Sequence, residues 1–242
     1  MTATTRIVLP EQLDELPPSD PRACRSRRDL QRVHRAMGSL SILKFAIRRL
    51  KLAAPPRRIL ELGAGDGTLV LRLAQTIKPR WPEVELTILD RHDLVSSQTR
   101  EAYKALGWHL TILREDVLDW AAGENPGHFD LCITCLFLHH FETETLPTLM
   151  RAIARNADAL IACEPRRNVL ARVGSQLIGL LGTNRVTRED AVKSVDAGFT
   201  AGELTALWPF EAAWDCEEHA ALPFTHCFTA VLHSARRGSP LK

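Results

Sequence analysis

The chain has 242 residues and a formal charge of +2, from 31 lysines and arginines against 29 aspartates and glutamates. So even a balance gives no global pull toward nucleic acid, although it leaves room for a local basic patch. A chain of this length buries an adequate core as one large α/β domain, without disulfides or metals. Six scattered cysteines, Cys24, Cys132, Cys135, Cys163, Cys216 and Cys227, read as free thiols in a reducing compartment, three of them inside apolar runs.

Residues 1–20 are polar, with Pro10, Pro17 and Pro18, and predict a poorly ordered leader or an extended arm. Glu11, Asp14 and Glu15 stand where a secretory leader needs an apolar run, so a cytoplasmic chain is expected. From 21 to 52, Leu30, Val33, Met37, Leu40, Leu43, Ile47 and Leu50 recur at steps of three and four, one apolar helical face. Gly38-Ser39 divides this run into two helices, and Pro55-Pro56 ends it.

Strands and helices then alternate. Strands are predicted over 57–62, 84–90, 108–114, 129–136 and 159–163, and helices over 66–77, 94–106 and 142–156, with a short irregular or helical piece before Gly123. Continuous apolar runs such as Leu131-Cys132-Ile133 mark strands covered on both faces, hence a parallel sheet. Residues 166–200 read as an apolar helix, a bend at Gly182-Thr183-Asn184 and a second helix opening near Thr187 and Asp190. Thr200 and Glu203 predict a capping box for a helix to Leu207, and 211–217 with 225–233 a closing strand pair. The apolar run 169–181 is broken by Arg172, is too short to span a bilayer and reads first as core. The expected fold is α/β: a doubly wound, Rossmann-like, mostly parallel sheet with an antiparallel last strand. Residues 1–54 form an N-terminal arm and helical cap, and 55–242 the main domain, with a helical lid over about 166–200.

Straight after the first strand comes Glu61-Leu62-Gly63-Ala64-Gly65-Asp66-Gly67, opening a helix. Glycines suit a sharp turn that a ligand must approach on bare backbone, and the helix N-terminus adds free amides. Asp90, followed by Arg91, ends the second strand, where an acid can take both hydroxyls of a ribose. Asp116-Val117 ends the third, where an adenine finds one hydrogen bond and one apolar contact. A nicotinamide dehydrogenase needs Gly-x-Gly-x-x-Gly. Here Gly67 comes one residue early, and Asp66 would press a carboxylate toward the pyrophosphate. An ammonium-bearing cofactor tolerates Glu61 and Asp66 far better.

These residues, in this order, resemble a class I S-adenosylmethionine-dependent methyltransferase. The match runs through 58–67, 86–90, 115–117, and 129–131 to Leu138-His139-His140-Phe141. The resemblance implies S-adenosylmethionine as cofactor, with Gly63 and Gly65 lining its methionine portion and Glu61 reaching its ammonium group. It assigns Asp90 to the ribose and Asp116 to the adenine. Ala64, Asp66, Gly67, Arg91, Val117 and Cys135 complete the expected cofactor site. Cys135 stands where relatives often carry Asn, Asp or Ser, which argues against methylation of exocyclic nucleobase amines. Cys132 and Cys135, three apart on a strand, face opposite ways and cannot share an ion. No metal site is expected, since the nine histidines show no ligand spacing beyond the His139-His140 pair.

Methyl transfer asks the protein chiefly to hold nucleophile and sulfur in line, with a base where the acceptor's pKa is high. His139 or His140 is the candidate base, and a structural role in capping the next helix is the alternative. Arg27-Arg28-Asp29-Leu30 with His34, and Glu164-Pro165-Arg166-Arg167 onward to Gly198-Phe199, resemble bacterial methyltransferases associated with type III polyketide synthases. That resemblance implies O-methylation of a phenolic or pyrone lipid. Alternatives are C-methylation of a quinone-type precursor, a protein or RNA methyltransferase, and a non-catalytic cofactor-binding protein. Arg22, Arg25, Arg28, Arg32 and Arg35 form a basic stripe, read first as a solvated face. Its other readings are a site for an anionic substrate group, an acidic carrier protein or a membrane surface. No nucleic acid is expected as a partner, and the chain is expected to be a monomer or homodimer.

Overall fold

The computed structural model describes residues 5–78, 80–123, 127–221 and 224–236. In chain order the elements are α1 (Gln12–Glu15), α2 (Pro21–Ala36), α3 (Ser39–Leu50), β1 (Arg58–Leu62), α4 (Thr68–Ile77) and β2 (Val84–Asp90). Next come α5 (Ser97–Ala105), β3 (Trp108–Arg114), α6 (Val117–Ala122), β4 (Leu131–Cys135), α7 (Leu146–Asn156) and β5 (Ala159–Pro165). The last are α8 (Val169–Leu177), α9 (Arg185–Asp196), α10 (Glu203–Leu207), β6 (Trp214–Ala221) and β7 (Thr225–Leu232). One seven-stranded sheet runs in the order β3-β2-β1-β4-β5-β7-β6. The first five strands are parallel, β7 runs antiparallel to β5, and β6 antiparallel to β7. This is the Rossmann-like α/β arrangement that the strand–helix alternation predicts.

Both sheet faces are covered, as the uninterrupted apolar strands require. Ile59 and Ile133 point into one core with Leu43, Val70, Leu73 and Tyr103. Their neighbours Leu60 and Cys132 point into the other with Trp120, Leu149, Met150 and Leu204. Cys132 and Cys135 thus lie on opposite faces, and Cys135 stands in register with Cys163.

Several boundaries differ from expectation for local reasons. The first domain helix starts at Thr68, because Gly67 in the left-handed region is its cap. β4 stops at Cys135, because Leu136 turns left-handed (φ +54). A 3-10 turn over Leu138–His140 takes up chain before α7, which begins at Leu146 with Pro147 in its first turn. α9 opens at Arg185, capped by Asn184, whose side chain accepts the Thr187 amide (2.9 Å). Asp190, expected near that cap, instead accepts the amides of Gln12 (2.8 Å) and Leu13 (3.0 Å). Only half the Thr200–Glu203 capping box forms: the Thr200 amide donates to Glu203 (2.8 Å), while Gly202 is the cap and Glu203 also holds Arg167.

Two larger corrections concern the edges of the domain. Residues 5–20 are neither loose nor simply extended: α1 packs on α9, and the arm is tied down through Arg6, Glu11 and Asp14. The apolar run 169–181 is not core. Only Ala171 and Ser175 of α8 are buried, and Val169, Leu170, Val173, Leu177, Leu180 and Leu181 stand exposed.

Candidate active site

The carboxyl ends of β1 and β4 lie side by side where the strand order reverses, the position at which open α/β sheets bind ligands. The glycine loop after β1 is shaped by what surrounds it. A Cβ on Gly63 (φ +65) would stand 2.1 Å from the Phe137 ring, so that ring rests on bare backbone. A Cβ on Gly65 (φ +57) would meet nothing within 4 Å, so this face of the loop is open. From α5, the Tyr103 hydroxyl donates to the Gly67 carbonyl (2.8 Å), a buried bond worth about 1 kcal/mol net. Asp90 accepts the Gly65 amide (2.9 Å) on one oxygen and the His92 amide (3.0 Å) on the other. Asp66 accepts the Thr68 amide (3.0 Å), and its second oxygen accepts the Gln31 side chain (2.6 Å), which joins α2 to the loop.

Glu61 is buried at the end of β1, and its Oε2 has no hydrogen-bond partner among the described residues. Burial first, then the nearby charges of Asp66 and Asp90, push its carboxyl well above the usual carboxylate range. Such a group is stabilised by a cation bearing N–H donors, whereas a pyrophosphate would add repulsion. The orphaned carboxylate and the open face at Gly65 therefore fit S-adenosylmethionine, whose ammonium and sulfonium are cationic. Asp116 sits two strands from β1 and caps α6, accepting the Leu118 amide (2.8 Å), with Val117 buried beside it. Arg91, next to Asp90, turns to Asp14 of the N-terminal arm (3.7 Å).

The two histidines after β4 differ sharply. His139 is buried, with Nδ1 2.8 Å from Glu164 Oε2 and Nε2 3.4 Å from Glu11 Oε1. The second contact is an ion pair too poorly aligned for a hydrogen bond. Burial alone would depress the imidazole, but Glu11 and Glu164 outweigh it and raise the pKa to about 9. His139 is therefore cationic at neutral pH and unsuited to accept a proton. His140 is half-buried, and its Nδ1 lies 3.0 Å from Asp14 Oδ2. A carboxylate beside Nδ1 favours the proton on that nitrogen, the arrangement that would leave Nε2 as the acceptor. Ligand atoms of Glu11, His139 and His140 fall within 4.8 Å of one another. Three carboxylate–imidazole pairs hold them, His139 with Glu164 and Glu11 and His140 with Asp14, so the cluster largely balances its own charge.

Glu164, fully buried on β5, organises this turn. It accepts the amides of Phe137 (3.1 Å), Leu138 (2.9 Å) and His139 (3.3 Å) besides the His139 ring. Arg6 closes the other side, donating to the carbonyls of His139 (3.0 Å), Phe141 (2.7 Å) and Ala197 (2.7 Å) and lying over the Phe199 ring. Glu61, Gly63, Gly65, Asp66 and Asp90 thus come together as expected. Glu11, Asp14, Gln31, Tyr103 and Phe137 join them without having been singled out for the site, since an isolated acid in a polar leader carries no local pattern.

Residues 59–158 match a family described as a methyltransferase domain. No curated protein matches the chain. Among solved structures, the plantazolicin methyltransferase BpumL in complex with SAH is similar, with a TM-score of 0.64 at 13% identity over 88% of this chain and 91% of that one. The magnesium protoporphyrin IX methyltransferase ChlM of Synechocystis PCC 6803, with bound SAH, gives 0.53 at 16% identity over 85% and 86%. The pyocyanin biosynthetic protein PhzM gives 0.55 at 17% over 88% of this chain, which spans 59% of PhzM's length. At such identities these likenesses establish the fold. The match makes residues 59–158 a methyltransferase domain, and the fold and acid-lined glycine loop around it suit S-adenosylmethionine as cofactor.

Proposed function

We propose that the protein methylates a small organic acceptor, at an oxygen of a phenolic or polyketide-type lipid. The observation that carries the reading is the His140–Asp14 pair at the end of β4, beside the strand whose loop holds Glu61 and Gly63. It gives a positioned base where a phenol must lose its proton. BpumL, ChlM and PhzM are, by their names, concerned with small molecules, which favours an acceptor of that size. The lipid character rests on the resemblance carried by Arg27-Arg28-Asp29-Leu30 and Glu164-Pro165-Arg166-Arg167.

Glu61 would receive the ammonium of the methyl donor, the Gly63–Gly65 backbone would line its methionine portion, and Asp90 and Asp116 would take the ribose and the adenine. Bound there, S-adenosylmethionine supplies an activated methyl group on a cationic sulfur. His140 Nε2 takes the acceptor's proton, and Asp14 holds the ring and stabilises the imidazolium that forms. His139, fixed by Glu164 and Glu11, keeps the turn in place. The cap of residues 1–54 and the lid over 166–200 cover the acceptor and exclude water.

The test is a calorimetric titration with S-adenosylhomocysteine against NADH, then a screen of phenols, alkylresorcinols and quinols. His140→Gln and Asp14→Asn should leave S-adenosylhomocysteine affinity unchanged and lower kcat by roughly 10²-fold, the ordinary size of a general-base contribution. Unchanged kcat across pH in His140→Gln removes the base assignment. Methylation confined to carbon of a quinol would select C-transfer instead.

A further inference from the structure

The exposed side chains of α8 and of the 3-10 turn that follows it (Ile178–Leu181) form a continuous surface feature. Val169, Leu170, Val173, Leu177, Leu180 and Leu181 recur at steps of one, three and four, one side of a helix. Leu180 is 85% exposed and Val169 73%, values that make these residues outward-facing and not merely peripheral. The opposite side seats the element: Ala171 and Ser175 are buried, and the Phe224 ring lies against Gly174. Large contiguous apolar patches on a soluble chain mark contact surfaces.

Its surroundings specify the contact. From Arg166 to Arg188 the sequence holds five arginines and no acidic residue. Arg167 turns inward to Glu203, but Arg172, Arg185 and Arg188 are exposed. α2 adds its own arginines at the far end, where Arg25 reaches the Gly182 carbonyl (3.5 Å) and the Asn184 side chain donates to the Arg22 carbonyl (2.9 Å). Asp196 lies 3.5 Å from Arg172, Glu189 bonds Arg185 and Asp20 bonds Arg22. Arg25 and Arg188 have no carboxylate within ion-pair distance among the described residues. An apolar strip with arginines at both ends is the pattern of an interfacial helix on an anionic membrane. A second copy fits poorly, because a two-fold contact would set arginine ends against arginine ends.

We propose that the α8 face, with its arginine rim, docks the protein on an anionic lipid bilayer, apolar side chains entering the headgroup boundary and arginines meeting lipid phosphates. This assignment stands apart from the identity of the methyl acceptor.

The full chain should be sedimented with phosphatidylcholine vesicles, with and without 30% phosphatidylglycerol. Three proteins are compared: the native chain, Leu177→Glu/Leu180→Glu, and Arg25→Glu/Arg188→Glu. All changed positions are exposed, and retained S-adenosylhomocysteine binding with an unshifted thermal midpoint confirms folding. The native chain should partition to the anionic vesicles at least tenfold more strongly than to neutral ones, with the preference falling as salt rises. The leucine variant should lose at least tenfold. The arginine variant should lose about fivefold per site, the size of one basic contact with an anionic surface. Absence of anionic preference, or native-like partitioning by the leucine variant, overturns the proposal. So does a light-scattering dimer that Leu177→Glu/Leu180→Glu dissolves, which would assign the face to a second copy.

Discussion

His139 and Glu164 form a buried ion pair, 2.8 Å between Nδ1 and Oε2, joining the turn after β4 to the neighbouring strand β5. The carboxylate also collects three backbone amides of the turn after β4, so it serves a whole loop and not one side chain.

Glu164→Gln should therefore be costly. It leaves the His139 cation buried beside a neutral amide and removes a charged acceptor from the three amides. Breaking one partner of a buried pair typically costs about 3 kcal/mol. Urea unfolding should show that loss with an unchanged m-value, and Glu164→Asp should recover only part of it. A loss below 1 kcal/mol would mean the pair is not holding the turn.

Docking of the N-terminal arm should have a pH window. The folded pKa of His139 is raised to about 9 from an ordinary 6.5. Its contribution is thus complete below the unfolded value and disappears as pH rises through about 9. On the acid side, burial works against ionised Glu11 and Asp14, but His139 and His140 outweigh it and lower both carboxyls. Their contribution is present above the ordinary carboxylate pKa and disappears as pH falls through the lowered values. Amide protection factors at Ile7, Gln12 and Leu13, which donate to Asp196 and Asp190, report docking. They should drop by an order of magnitude or more between pH 7 and 10. Flat protection factors over that interval would show that His139 does not hold the arm.

Cofactor binding should release a proton. Burial, with Asp66 and Asp90 nearby, pushes the Glu61 carboxyl well above the usual carboxylate range and so favours its protonated form in the free protein. A cationic ligand reverses that balance and ionises it. Calorimetric titrations with S-adenosylhomocysteine, whose ammonium is retained, should give heats that vary with buffer ionisation enthalpy. Glu61→Gln should abolish the dependence and weaken binding at least tenfold. The same variant should flatten the stability–pH curve of the free protein above pH 4.5, because native Glu61 holds a proton there that the unfolded chain has lost. Buffer-independent heats in the native protein would count against the ammonium site.

Gly63→Ala should disable the loop. The new methyl would overlap the Phe137 ring at 2.1 Å, at a positive φ that costs an alanine about 1 kcal/mol by itself. The expected result is a lowered thermal midpoint and at least tenfold weaker S-adenosylhomocysteine binding. Adding Phe137→Ala should restore part of the stability, by removing the overlap but not the backbone strain. No restoration in the double variant would mean that ring contact is not the obstacle.

The sheet was legible from the sequence because periodicity and turn chemistry are local properties. The strands over 84–90 and 108–114 lie where apolar pattern alone places them. Glu61, Gly63, Gly65 and Asp90 were legible because a motif fixes their spacing. Asp14 and Glu11 were not, since their partners lie more than a hundred residues away and only the folded chain brings them to His140 and His139. The α8 strip misled for a different reason: apolar periodicity shows that a helix has a greasy side, but not whether the protein itself covers that side.

The docked arm has a consequence for the order of assembly. Arg6, Glu11 and Asp14 leave the ribosome before any strand of the sheet exists, yet their partners at His139, His140 and Ala197 come from its later half. The earliest-made part of the site must wait for most of the chain. A nascent chain can close the loop between Glu61 and Asp90 while Asp14, already made, still waits for His140. The glycine loop is thus assembled before the His140–Asp14 pair can form.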